Sequence, residues 1–269
     1  MMAETQGFPV KAVVLDWAGT VIDFGCMAPV EALIEVFATE GLALTAAEAR
    51  ADMGRAKLDH MRAILAEPGV AARWLAAKGQ DATEDDVERL YARLEPAMTL
   101  AAARAAKMIP GAVDTVLALR ALGIKIGSGT GYTPAMMARI EMAAEEQGYA
   151  PDVVICAGDT PSGRPSPLMT WAALIEMDAW PARACVKVDD APVGIIEGKE
   201  AGCWTVGIAA SGNEVGLDAD AYKALPEAER AALVARAGET LKAAGADFII
   251  EDISELLPII HEIARRIAA

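Results

Sequence analysis

Apolar residues follow two alternating rhythms along this chain. Short, largely apolar runs lie at Ala12–Leu15, Ile124–Ser128, Val153–Cys156, Cys185–Val188, Thr205–Ala209 and Phe248–Ile250. Such runs mark strands buried on both faces of a parallel sheet. Between the later runs, apolar positions recur at helical spacing: Val113–Leu122, Pro134–Gln147, Ser166–Met177, Val193–Ala201, Leu217–Ala244 and Ser254–Ile267. Strands alternating with helices predict an α/β fold, a doubly wound parallel sheet with helices on both faces.

The alternation fails between the first two strands. Ala28–Thr39 reads as an amphipathic helix ending near Gly41. Thr45–Ala66 reads as one helix, opened by Thr45 and Glu48 in a capping-box pattern. Val70–Lys78, Glu84–Leu94 and a helix around Pro96–Lys107 follow, and Pro110-Gly111 punctuates the return. The expected organisation is a core of residues 1–25 and 105–269, Rossmann-like in its winding, with a helical cap of residues 26–104 inserted after its first strand. Cap and core would meet over Asp16.

Composition narrows the function. A chain of 269 residues accommodates a core and a smaller cap. It is 54% hydrophobic, yet no apolar run reaches the roughly 18 residues of a spanning helix, so no membrane partner is expected. The opening MMAETQGFPVK has no basic-then-apolar leader pattern. A net charge of −15 argues against nucleic acid as a partner, because phosphate contacts need clustered Lys and Arg. It leaves room for a small anionic substrate, which needs only a local positive site. The 4 cysteines are scattered with no CxxC pair, so neither a zinc site nor a disulfide framework is expected, and a cytoplasmic location is.

Candidate chemistry gathers at strand ends, where open α/β sheets bind ligands. Asp16 ends the first strand, and Gly19 and Thr20 turn the chain away. A turn or N-cap is the plain role for such an aspartate; a carboxylate there can also attack phosphorus, with a dication offsetting like-charge repulsion. Asp189-Asp190 ends a later strand and offers a hard oxygen ligand of the kind Mg²⁺ takes, or an N-cap for the helix that follows. Adjacent side chains project differently, so one of the two is expected to bind metal. Ser128–Tyr132 offers backbone N–H groups and the Thr130 hydroxyl to an anion. Its glycines do not fit GxGxxG, because Tyr132 holds the third glycine's place. Arg164, flanked by prolines, presents a planar fork for phosphate oxygens, although an isolated Arg is usually just solvated. In the cap, Met53, Lys57 and Met61 share one helical face with His60 beside it. A Met stripe more often packs on a core, and a lone His is more often structural. A lysine buried in such a stripe loses basicity, and a neutral amine forms a Schiff base with a carbonyl.

The stretch KAVVLDWAGTVID resembles the nucleophile motif of the haloacid dehalogenase superfamily, DxDxT/V, with Ala18 in place of the second acid. DWAGTVIDFGCMAP, MGRAKLDHMRA, GIKIGSGTGYT, GRPSP and VDDAPVGIIEG with KEAGCWTVGI are similar to the phosphonoacetaldehyde hydrolase (phosphonatase) family, over nearly the whole chain. The resemblance implies cleavage of the C–P bond of phosphonoacetaldehyde to acetaldehyde and phosphate, in the degradation of 2-aminoethylphosphonate. It implies Asp16 as nucleophile, Lys57 as imine-forming residue, and Mg²⁺ held by Asp16, the Ala18 carbonyl and Asp190. Thr130, Gly131 and Arg164 would hold the phosphoryl group, and Met53 and Gly54 would lie beside the imine. His60, Cys26 and Tyr132 would form a water-linked network for proton transfer. The missing acid fits this chemistry: a phosphatase protonates a leaving oxygen, whereas here the leaving group is carbon, and an imine takes up its electrons. Gly194 stands where many members carry a further Asp, so coordination rests on Asp16 and Asp190, with looser metal affinity as a consequence. A homodimer through the cap is implied as well, with Met27, Phe37 or Trp74 as candidate exposed apolar residues. Three competitors remain: a capped sugar phosphatase or phosphomutase, which Ala18 disfavours; a silent phosphonate sensor; and a Schiff-base aldolase in which Asp16 and Arg164 are idle.

Overall fold

β1 (Ala12–Leu15) is buried along its length and lies inside the sheet, which explains its apolar run. The computed structural model describes residues 8–269; residues 1–7, the front of the segment read as leaderless, lie outside it. Among the described residues, β2 (Lys125–Gly129), β3 (Val153–Ile155), β4 (Cys185–Asp189), β5 (Trp204–Ile208) and β6 (Phe248–Ile250) join β1 in one sheet of order β3-β2-β1-β4-β5-β6. All pairings are parallel, as the alternation predicts. Leu15 pairs with Ser128 on one side and Val188 on the other, so three strands end level with one another around Asp16. The connections run outward in opposite directions from β1, and this switch point is where such sheets leave a crevice.

Between β1 and β2 the chain forms α1 (Met27–Thr39), α2 (Ala46–Arg50), α3 (Lys57–Ala66), α4 (Pro68–Lys78) and α5 (Glu84–Ala105). Its two connections to the sheet run side by side: Asp23 N donates to Lys107 O (3.2 Å) and Ile109 N to Val21 O (2.8 Å). The later helices are α6 (Ala112–Ala121), α7 (Pro134–Glu146), α8 (Leu168–Glu176), α9 (Pro192–Glu200), α10 (Ala219–Ala224), α11 (Glu227–Ala243) and α12 (Leu256–Ala268). Among the described residues no helix is long and apolar enough to cross a membrane.

Several expected elements need correction. The Thr45–Ala66 helix is two helices. The capping box at Thr45 forms as expected, but Asp52 (φ 58°) and Gly54 (φ 94°) adopt left-handed backbone, which ends the helix, and it restarts at Lys57. Conversely, Pro96 does not divide α5. Val87, Leu90, Leu94, Met98 and Ala102 form one buried stripe that runs through it, and that burial outweighs the hydrogen bond a proline forfeits. Leu217–Ala244 is split at Pro226, whose ring pushes Leu225 out of helical backbone (ψ 147°). Phe37 and Trp74 are not exposed apolar residues: both are buried in the helical block, and Met27 is half-buried.

Candidate active site

The carboxyl ends of β1, β2 and β4 and the turn between α2 and α3 border one small cavity. Each residue to which the resemblance assigns a site role borders it except His60, which sits one turn into α3, whereas Asp189 and Met61 lie outside its lining. Asp16 follows directly on β1, its backbone N–H still donating to Val188 O (3.0 Å), so its side chain emerges at the strand end. Gly19 (φ 82°) lets the chain turn close under the site: a Cβ there would lie 2.5 Å from Asp190 Oδ2 and 2.6 Å from Cys26 Sγ. Asp190 follows β4 and accepts hydrogen bonds from Thr20 Oγ1 (3.3 Å), Cys26 Sγ (3.3 Å) and Asn213 N (2.8 Å).

Arg164 is buried, and its three nitrogens are all engaged. Nη1 lies 2.8 Å from Asp16 Oδ1, Nε donates to Glu197 Oε2 (2.9 Å), and Nη2 donates to Gly129 O (2.7 Å). Burial opposes its charge, but Asp189, Asp16 and Glu197 outweigh that and raise its pKa. Asp189 turns away from the cavity to Lys187 (2.9 Å) and accepts from Ala191 N (3.1 Å). Burial works against its ionisation as well, and Lys187 and Arg164 overcome it, holding Asp189 below the usual carboxylate range.

The donor set fits a divalent cation. One oxygen each from Asp16, Asp189 and Asp190 lies within 4.8 Å of the others. Because Lys187 and Ala191 N occupy Asp189, Asp16 and Asp190 are the pair left facing the cavity. Burial first, then the Asp16 and Asp189 charges, pushes Asp190 well above its ordinary pKa, and burial raises Asp16 too. Four buried carboxylates (Asp16, Asp189, Asp190, Glu197) face two buried cations, Arg164 and Lys187, in this cluster. This surplus of carboxylates is of the kind that a hard cation with oxygen ligands offsets.

Across the cavity, Lys57 opens α3 at 2% exposure. Its Nζ lies 3.5 Å from Met53 Sδ and 5.3 Å from the centre of the Tyr132 ring. Burial lowers its pKa to about 8. The expected Met53–Lys57 contact therefore exists, but through the turn folding back and not along a helical face. Gly54 and Gly131 meet at the seam: a Cβ on Gly131 would fall 2.5 Å from Arg55 O and 2.9 Å from Gly54 O, and one on Gly54 would fall 2.8 Å from Val193 Cγ2. Thr130 Oγ1 accepts from Tyr132 N (3.2 Å) at the cavity edge. Burial, then the Lys57 charge, lowers the His60 pKa to about 3, so its imidazole is neutral. Burial and the neighbouring carboxylates raise Cys26 well above an ordinary thiol, so it is a thiol donor here and not a thiolate.

Sequence reasoning overlooked Lys187, Glu197 and Asn213. Lys187 had a signal, a lone cation inside an apolar run. Asn213 lies in the loop after β5, where Ser211-Gly212-Asn213 reads as an ordinary turn. Glu197 had none, since an acid on a helix near a sheet is usually solvated.

The family model for haloacid dehalogenase-like hydrolases matches residues 10–202. A phosphonoacetaldehyde hydrolase of Paraburkholderia phytofirmans is 44% identical over 259 residues, covering 96% of this chain and 97% of its own. One from Syntrophobacter fumaroxidans is 44% identical over 255 residues, covering 95% and 92%. The crystal structure of a phosphonoacetaldehyde hydrolase-like protein from Oleispira antarctica superposes with a TM-score of 0.96 at 43% identity, covering 100% of this chain and 98% of that one. With the sheet order and the site as described, these likenesses settle the classification: the chain belongs to the haloacid dehalogenase-like hydrolases and, within them, to the phosphonoacetaldehyde hydrolase family.

Proposed function

We propose that this protein hydrolyses the C–P bond of phosphonoacetaldehyde to acetaldehyde and phosphate, with residues 26–104 acting as a cap over a core of residues 1–25 and 105–269. One observation carries the reading: a buried amine of lowered basicity, Lys57, shares a cavity with a strand-end carboxylate, Asp16, while Ala18 occupies the place of a leaving-group acid. The relatives named above carry the substrate's name.

The neutral Lys57 amine adds to the aldehyde and expels water, leaving a protonated imine. Asp16 attacks phosphorus; the C–P electron pair moves into the imine, forming an enamine, and the phosphoryl group passes to the Asp16 carboxylate. Thr130, Gly131 and Arg164 orient that group, and Arg164 also holds Asp16 Oδ1 at 2.8 Å. Met53 and Gly54 wall the imine. Protonation of the enamine carbon, with Tyr132, Cys26 and neutral His60 as relay, precedes imine hydrolysis, which frees acetaldehyde and Lys57. Water then opens the aspartyl phosphate. Asp16, the Ala18 carbonyl and Asp190 would hold Mg²⁺, which supplies the positive charge that lets two anions approach. The reading includes a cytoplasmic location and a homodimer paired through the cap; size-exclusion chromatography with multi-angle light scattering checks the dimer, and a monomer mass overturns it.

The test combines product analysis and trapping. Protein, Mg²⁺ and phosphonoacetaldehyde are expected to yield equal phosphate and acetaldehyde, and borohydride is expected to leave a reduced adduct on Lys57, located by peptide mass. Lys57→Arg keeps the charge but cannot form the imine, so kcat should fall by about three decades or more, each being about 1.4 kcal/mol of barrier. No phosphate, or an adduct on another lysine, overturns the mechanism.

A further inference from the structure

Lys187 and Asp189 do not fit the usual reasons for keeping residues in a core. Lys187 sits in β4 at 0% exposure, its Nζ 2.9 Å from Asp189 Oδ2 and 3.7 Å from Glu197 Oε2. Neither Lys187 nor Asp189 borders the cavity. Removing two charges from water costs as much as their attraction returns, and an apolar pair of the same size often serves stability better.

The neighbouring helix is shaped to receive this pair. A Cβ on Gly194 would fall 2.0–2.4 Å from the Asp189 carboxylate atoms. A Cβ on Gly198, four residues on and on the same face of α9, would fall 2.7 Å from Lys187 Cβ and 2.8 Å from its Cγ. Two glycines thus open a groove in α9 that the pair fills. Glu197 rises from the same helix to Arg164 Nε, its other oxygen held by Thr170 N (3.1 Å) and Oγ1 (2.9 Å). Asp189 Oδ2 stands 3.5 Å from Arg164 Nη2. The far side of the guanidinium is therefore set against two anchored carboxylates, and the near side, Nη1, is aimed at Asp16.

We propose that Lys187 and Asp189 are positioning residues that fix Arg164 for phosphoryl binding, and that Asp189 delivers to this spot, from β4, the carboxylate that a side chain at position 194 would otherwise deliver from α9. The inference rests on the proposed reaction for its kinetic readout alone, since inorganic phosphate probes the same guanidinium without turnover.

The experiment compares the parent protein with K187M/D189L, D189G and D189G/G194D by thermal unfolding, calorimetric affinity for inorganic phosphate with Mg²⁺ present, and kcat for phosphate release. K187M/D189L is expected to unfold within about 5 °C of the parent, as an apolar replacement of a buried pair should. It is expected to lose about a hundredfold or more in kcat, the scale of an ångström of misplacement, and to bind phosphate about tenfold or more weakly, one lost charge-assisted contact. D189G should share the loss, and D189G/G194D, with the acid returned from the opposite wall, should recover most of it. A folded K187M/D189L that keeps parental kcat and phosphate affinity overturns the proposal, because the pair is then structural only. If K187M/D189L fails to fold, D189G decides with its partner: parental phosphate affinity in D189G, or equal loss in D189G and D189G/G194D, overturns it. If the parent releases no phosphate from phosphonoacetaldehyde, the reaction reading fails while the affinity comparison still decides this one.

Discussion

Lys57 shows most directly how burial turns a common residue into a reagent. Its pKa of about 8, lowered from 10.5 by loss of solvation, leaves roughly one amine in ten neutral at pH 7. If imine formation limits turnover, kcat/KM should climb as pH rises toward 8 and level off above it; a pH–rate profile flat from 6 to 9 would separate the amine from the slow step. Stability follows the same group with a definite sign. The folded-state pKa lies below the unfolded one, so between about 8 and 10.5 the unfolded chain binds more protons, and this lysine's contribution to stability rises with pH across that window. The residue type and its Met neighbour were readable from the sequence. Its basicity was not, because desolvation is a property of everything packed around it. Gly194 teaches the same lesson: it reads as a missing acid, and in three dimensions it is the space that Asp189 occupies.

At the scale of elements, the interruption between α2 and α3 brings Gly54 and Arg55 down onto Gly131, and Arg50 fastens the result. Arg50 Nη1 donates to Gly25 O (2.7 Å) and Nη2 to Gly216 O (3.0 Å), while Asn213 Nδ2 donates back to Arg50 O (3.2 Å). Asn213 N in turn donates to Asp190 (2.8 Å), so one residue links the helical block to the proposed metal ligand. A hydrogen bond from a charged donor contributes about 1.5–3 kcal/mol. Arg50→Ala is therefore expected to lower kcat/KM by about tenfold or more, with Lys57 still trapped by borohydride at high substrate; steady-state kinetics unchanged within about twofold would show that these contacts do not govern closure. The parallel sheet and the helical insertion were legible because apolar period is a local signal, while the order of the strands in the sheet came only from the structure. The break at residues 51–56, the continuity of α5 through Pro96 and the burial of Phe37 and Trp74 were not. Each depends on which face finds a partner, and a sequence window does not contain the partner.

For the whole molecule, the chain carries −15 overall and concentrates uncompensated negative charge at the level ends of three strands. Asp16 and Asp190 have folded pKa values raised by burial, so without a cation each costs stability as pH rises above the ordinary carboxylate range. A bound dication reverses that cost, and because protons compete for the same oxygens its stabilisation grows with pH. At a hundredfold excess over Kd, Mg²⁺ should stabilise the fold by about 2.7 kcal/mol, about 5–10 °C in Tm for a chain of this size. Thermal unfolding with Mg²⁺ or with chelator, at pH 5 and pH 8, measures it; an equal shift at both pH values would place the ion elsewhere. The sequence by itself determined the parallel sheet, the helical insertion, and the strand end at which Asp16 stands, since periodicity and strand-end placement are written in short stretches of chain. Only the tertiary structure decided which charges meet, that Asp189 serves Arg164 while Asp190 faces the cavity, and how basic Lys57 is. Those outcomes come from distance and desolvation among residues far apart in the chain, where the sequence supplies the groups but not the space between them.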